Sequence, residues 1–103
     1  MDPVFYVLRP YAHETILIGA AAIGFTVGTM QPKGHAPKLA ILTLETDDVR
    51  YWLDGTDDPT ATVGHLLSAG QALFCWHGSI GRTRLIRANT AQNDAVASVT
   101  YYD

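Results

Sequence analysis

The fold of this chain is decided by the stretch Val49-Arg50-Tyr51-Trp52-Leu53-Asp54-Gly55-Thr56-Asp57-Asp58-Pro59-Thr60. In its first half, apolar Val49, Tyr51 and Leu53 alternate with residues that would point to the opposite side of an extended chain. Asp-Gly and Pro-Thr pairs then supply residues that favour turns. The stretch therefore predicts a strand and its exit loop.

Similar turn signals recur along the chain and separate short apolar runs at intervals of roughly ten residues. This spacing predicts an all-β fold, namely a small antiparallel β-sandwich or a jelly-roll-like barrel of about seven or eight strands. The residues predicted to define turns around the opening stretch are Asp54, Gly55, Pro59, Gly64 and Gly70.

The remaining segments are assigned from the same signals. Residues 38–46 are apolar on both faces, which predicts a central strand covered on both sides. Residues 65–68 predict a short turn or a single helical turn, and Arg9-Pro10 is expected to stop any earlier strand because proline removes a ladder donor. Further strands are predicted over residues 14–18, 71–76, 82–88 and 95–102, and a strand or short turn over residues 23–30.

Length and composition favour one small domain that associates with other chains. A chain of 103 residues fits a single domain over residues 1–103. Apolar residues make up 48% of it and charged residues 17%. Because few charges oppose association, we expect a homo-oligomer or a docked assembly.

Residues 1–10 are predicted to form an extended arm. Val4, Tyr6 and Leu8 alternate along a short apolar run that could pair with a neighbouring chain. Trp52 is expected at the core or a subunit interface, or exposed beside the acidic loop. The expected assembly interface comprises Val4, Tyr6, Leu8, Trp52 and Trp76.

No catalytic or metal-binding constellation is visible in the sequence, so we expect no enzyme, no cofactor and no metal. The four histidines lack the close spacing of a zinc motif. Ser79 lacks the glycine two residues earlier that a nucleophile elbow requires. Asp54, Asp57 and Asp58 have no glutamate at calcium-loop spacing, and lone Cys75 is expected to be a buried, inert thiol.

Charge and hydropathy give no reason to expect nucleic-acid or membrane binding. The net charge is −3 and the pI is about 5.7, whereas nucleic acid requires a basic face. The uncharged stretch over residues 15–31 is shorter than the roughly 20 residues that a bilayer requires and is diluted by threonines.

A family resemblance covers about the last two thirds of the chain. The segments that carry it are residues 49–56, residues 59–71, Arg84-Leu85-Ile86-Arg87-Ala88 and Val99-Thr100-Tyr101-Tyr102. Together they resemble small structural proteins encoded among the virion genes of tailed bacteriophages. The resemblance implies a non-enzymatic β-sandwich, made in the host cytoplasm and located in the virion as a capsid decoration or head–tail accessory protein. Its implied partners are other copies of itself and other virion proteins, such as the major capsid or tail proteins.

A second resemblance covers the turn alone. Residues 51–60 are similar to the Y-x-x-D-G-[ST]-x-P-T signature of immunoglobulin-like accessory domains of carbohydrate-active enzymes, with one extra residue before the proline. It implies an alternative function, a carbohydrate-binding or adhesion module that uses Trp52 and the loop from Asp54 to Asp58. An aromatic ring beside acidic turn residues would suit a sugar.

Overall fold

Two antiparallel sheets form the part of the chain that the computed structural model describes, which is residues 8–31, 36–88 and 94–103. The larger sheet has the order β1-β7-β2-β5, and the smaller has the order β4-β3-β6. A one-turn helix, α1 (Val27–Met30), lies between β1 and β2, and a 3-10 turn (Ile80–Arg82) lies before β6. The strands of the described residues are β1 (Pro10–Ile18), β2 (Leu39–Thr46), β3 (Val49–Trp52), β4 (His65–Leu67), β5 (Ala72–Trp76), β6 (Arg84–Arg87) and β7 (Ala95–Tyr102).

The core lies on the inner face of the larger sheet. Along β7, every second side chain is buried, from Ala95 to Tyr101, and the residues between them are partly exposed. Leu42 and Leu44 of β2 are fully buried on the same face. From the smaller sheet, Val49 and Leu85 complete the same contiguous cluster. The all-β, sandwich-like fold predicted from the turn spacing is therefore confirmed, with seven strands in the described residues.

The chain passes from the larger to the smaller sheet through a tight bend between β2 and β3. Asp47 adopts a left-handed conformation (φ 59°), which aspartate tolerates better than most residues. The Asp48 carboxylate accepts a hydrogen bond from the backbone N–H of Ala69 at 3.1 Å. This bend places Val49 in the core at the start of β3, as its alternation predicts.

The strand predicted over residues 14–18 begins earlier, because β1 starts at Pro10. The earlier strand that Arg9-Pro10 was expected to end falls almost wholly outside the described residues. Pro10 is the first residue of an edge strand, where the missing N–H is tolerated. It pairs with Tyr102, and the register shifts between Pro10 and Ala12. Pairing continues beyond it, because the backbones of Arg9 and Asp103 exchange two hydrogen bonds.

Two further assignments are corrected by tertiary pairing. Residues 65–67 form β4 and not a turn, because they pair with β3 and bury Leu67. The strand predicted over residues 82–88 begins at Arg84, since Arg82 ends the 3-10 turn. Arg82 and Arg84 therefore do not share a strand face.

The strand predicted over residues 38–46 is β2, which is central and is covered on its outer face only in part. It lies between β7 and β5, as its apolar sequence predicted. On its outer face, Leu39 is buried, Ile41 is half-buried and Thr43 is exposed.

A hydrogen-bonded group joins the segment before α1 to the larger sheet. The buried Tyr101 hydroxyl donates to Glu14 Oε2 at 2.5 Å, and the Thr26 hydroxyl donates to Glu14 Oε1 at 2.6 Å. The Tyr11 hydroxyl donates to the Met30 carbonyl at the other end of α1. These contacts hold the short helix against β1 and β7. Within the described ranges, no helix is long and apolar enough to cross a membrane.

Candidate functional site

The outer face of the larger sheet carries the first candidate site. Cross-strand pairing sets Tyr102, Leu39 and Trp76 in one row, and Ile41 and Phe74 in the next. We call these five residues the aromatic face. Phe74 and Trp76 are 52% and 59% exposed, although both are large and apolar. Such a surface is unusual for a small protein that has no partner.

The aromatic face extends to a sheet edge that no other described strand covers. Among the described strands, β5 pairs with β2 alone. Its sequence, Ala72-Leu73-Phe74-Cys75-Trp76, contains no charge and no proline, and its register with β2 has no shift. Natural edge strands are commonly protected by charges, prolines or bulges. β5 has none of these protections.

The opposite edge of the same sheet is protected. β1 begins at Pro10, shifts register before Ala12 and carries His13 and Glu14. The two edges therefore differ in the features that discourage strand pairing. β5 is the edge at which a further strand would meet least resistance.

A groove lies at the end of β5. It has a volume of about 430 Å³ and is lined by Leu8, Lys38, Trp76 and His77. Leu8 and Trp76, two of the expected interface residues, therefore lie on one surface feature. Val4 and Tyr6 lie outside the described residues.

The second candidate site is a cleft beside β3. It has a volume of about 450 Å³ and is lined by Trp52, Asp54, Asp57, Asp58 and Val63. The walls combine one indole ring with three carboxylates, a composition suited to a ligand with both apolar faces and hydrogen-bond donors. We call it the Trp52 cleft.

Local contacts fix the position of Trp52. Its half-buried ring packs edge-on against the His65 imidazole, with ring centroids 5.1 Å apart. His65 reaches this position because β4 pairs with β3 opposite Tyr51. The sequence alone did not predict this contact, since residues 65–67 carry a weak strand signal.

The loop that borders the Trp52 cleft is ordered by turn contacts. Asp54 Oδ1 accepts a hydrogen bond from the backbone N–H of Thr56 at 3.1 Å. Gly55 has a φ of 71°, and a Cβ there would approach the Arg82 side chain to 3.1 Å. Farther along, Gly64 and Gly70 also have positive φ, and Pro59 is buried against Gly64. The loop therefore holds the cleft carboxylates on a defined backbone.

No group of three or more His, Cys, Asp or Glu side chains in the described ranges is placed to hold a metal ion. Cys75 is fully buried, and this burial raises the pKa of its thiol. His77 lies exposed in the turn after β5, so the two do not share a strand face. Burial with a raised pKa makes a poor nucleophile at neutral pH.

The structure adds Phe74, Ile41 and Tyr102 to the expected interface residue Trp76. The signal for Phe74 was present in the sequence, because residues 72–76 are apolar on both faces of a strand. Trp52 lies at the cleft and not on the aromatic face, so the expected interface residues fall on two separate surfaces. No protein-family model, curated protein or solved structure matches this chain.

Proposed function

We propose that this chain is a non-enzymatic structural protein of a tailed-phage virion, where it acts as a capsid decoration or head–tail accessory protein. The observation that carries the assembly role is the aromatic face, with Phe74 and Trp76 more than half exposed beside an unprotected strand edge. Burying these two side chains against another subunit would contribute about 1.5–3 kcal/mol each. The virion setting rests on the sequence resemblance.

The partners in this proposal are further copies of the chain and a capsid or tail protein. An interface centred on aromatic side chains with a polar surround is typical of specific assembly. On the outer face, Thr43 and Thr100 lie next to the aromatic face and supply such a surround.

Quantitative mass spectrometry of purified particles of the encoding phage tests this proposal. We expect the chain at a fixed ratio to the major capsid protein. The double variant Phe74→Lys/Trp76→Lys should lose at least about tenfold in particle occupancy, because two charges would replace the anchors of the contact. Leu17→Lys is the matched control, since Leu17 is 60% exposed but lies on β1. Absence of the chain from particles would contradict the virion role.

The second candidate function is carbohydrate binding at the Trp52 cleft. A half-buried indole gives a flat apolar surface for a sugar ring, and the carboxylates of Asp54, Asp57 and Asp58 can accept hydrogen bonds from sugar hydroxyls. Its single favouring observation is that these four side chains line one cleft.

A glycan array separates the two candidates. If the Trp52 cleft binds a glycan, Trp52→Ala should weaken binding by about tenfold or more, because the stacking surface is removed. The variant Trp76→Ala should bind that glycan unchanged, since Trp76 lies on the aromatic face. Equal losses in both variants, or no glycan bound by the parent chain, would remove this candidate.

A further inference from the structure

We infer that the edge of β5, which no other described strand covers, receives residues 4–8 of a second copy of this chain as an added strand. This inference rests on the proposed assembly role and names the contact that would produce it. The acceptor is five residues of unprotected edge, Ala72–Trp76. The donor is the segment immediately before β1.

The donor sequence suits strand addition. Residues 4–8 read Val-Phe-Tyr-Val-Leu, which are all β-favouring or apolar and include two aromatic rings. The segment matches β5 in length. Because it is apolar on both faces, it would extend the aromatic face on one side and the core beside Leu73 and Cys75 on the other. β-strand addition gains affinity from main-chain hydrogen bonds and specificity from alternate side chains.

The donor is assigned to a second copy because of the distance that the same chain would have to cross. Arg9 still lies in line with β1, because its backbone pairs with Asp103 at the end of β7. The position beyond β5 is four strand spacings from β1, which is about 19 Å. A residue spans at most about 3.6 Å, so crossing would use roughly six residues. A crossing that starts at Arg9 would therefore use residues that are needed for pairing, whereas a second copy can offer all five. A full chain that is monomeric by light scattering would contradict this assignment.

The groove at the end of β5 supports an exchange between copies. Leu8 lines it together with Trp76 and His77, so the described end of the donor segment lies close to the Trp76 end of β5. In two copies that lie side by side, the donor segment of each copy would thus lie close to the β5 edge of the other copy. Reciprocal exchange would give a closed dimer, and one-way exchange would give a ring or chain.

Two complementary variants test the inference. A chain that lacks residues 1–7 keeps the acceptor edge and loses the donor. The Phe74→Lys/Trp76→Lys chain keeps the donor and carries two charges on the acceptor, and lysine is a common guard of edge strands. We expect the full chain to assemble and each variant alone to be monomeric by light scattering. The equimolar mixture should form a heterodimer by native mass spectrometry.

Controls separate loss of contact from loss of folding. Circular dichroism and thermal unfolding should show both variants folded, and Leu17→Lys should assemble as the parent does. A labelled peptide of residues 1–9 should bind the truncated chain, and Phe74→Lys/Trp76→Lys in that chain should weaken binding by at least about tenfold. This readout does not depend on the stability of an oligomer.

Each outcome decides a separate question. If the truncated chain still assembles, for example by pairing β5 with β5 of another copy, the inference is wrong and the assembly role stands. A mixture that stays monomeric, with no peptide bound, also overturns the inference. Normal particle occupancy of the truncated chain would leave the virion proposal intact and remove strand exchange from it.

Discussion

Leu42→Ala is expected to lower the free energy of unfolding by about 3 kcal/mol. Leu42 is fully buried at the centre of β2, between β7 and β5. Its truncation removes apolar contact and leaves a cavity that flanking strands cannot close. A loss of this size is a large fraction of the stability of a small domain. Urea unfolding followed by tryptophan fluorescence, at a concentration where the chain is monomeric, measures it.

Ile41→Ala is the matched control, because it removes a similar side chain from the opposite face of the same strand. Ile41 is half-buried on the aromatic face, so we expect a clearly smaller loss. A loss from Ile41→Ala that equals or exceeds that from Leu42→Ala would contradict the one-sided core of the larger sheet.

Tyr101→Phe is expected to lower the free energy of unfolding by about 1–3 kcal/mol at neutral pH. The phenylalanine ring keeps the edge-on packing against Phe25, at a centroid distance of 5.8 Å in the parent. What is lost is the hydrogen bond from the buried hydroxyl to the Glu14 carboxylate. Thermal or chemical unfolding of both chains measures the difference, and Tyr102→Phe, on the opposite face, should change stability less.

The raised pKa of Tyr101 predicts how the free energy of unfolding changes at alkaline pH. Burial raises the pKa of Tyr101 above its usual value of 10.0, and the hydrogen bond to Glu14 and its charge raise it further. Above pH 10 the folded chain therefore retains a proton that the unfolded chain has lost. Stability should fall as pH rises beyond 10. The fall should be shallower in Tyr101→Phe, and identical slopes would show that Tyr101 does not cause it.

Residues 49–53 illustrate what periodicity predicts well. The alternation of Val49, Tyr51 and Leu53 predicted a strand, which forms as β3 (Val49–Trp52). Val49 is buried as expected. Alternation did not predict β4, because a strand of three residues with one buried leucine is too short to show a period of two. The start of β1 at Pro10 was also not predicted, because the position of β1 at a sheet edge decides that a proline can begin it.

Some residues of the candidate sites were identified from the sequence, and others only from the tertiary structure. The sequence identified Trp52, the acidic loop and Trp76, because bulky aromatics beside turns or within apolar runs are visible without coordinates. Assembly of the aromatic face required the register of β7, β2 and β5, which brings Tyr102, Leu39 and Trp76 into one row. Nothing in local sequence specifies which distant strands become neighbours.

The sequence by itself determined the β class, the turn at Asp54-Gly55 and which residues of β3 alternate, because these depend on local backbone preferences and on a period of two residues. Tertiary structure alone decided that β5 is an edge among the described strands, that Phe74 and Trp76 are exposed, and that Trp52 and Trp76 lie on different surfaces. The reason is physical: burial and edge exposure are properties of non-local pairing, in which segments far apart in the chain cover one another.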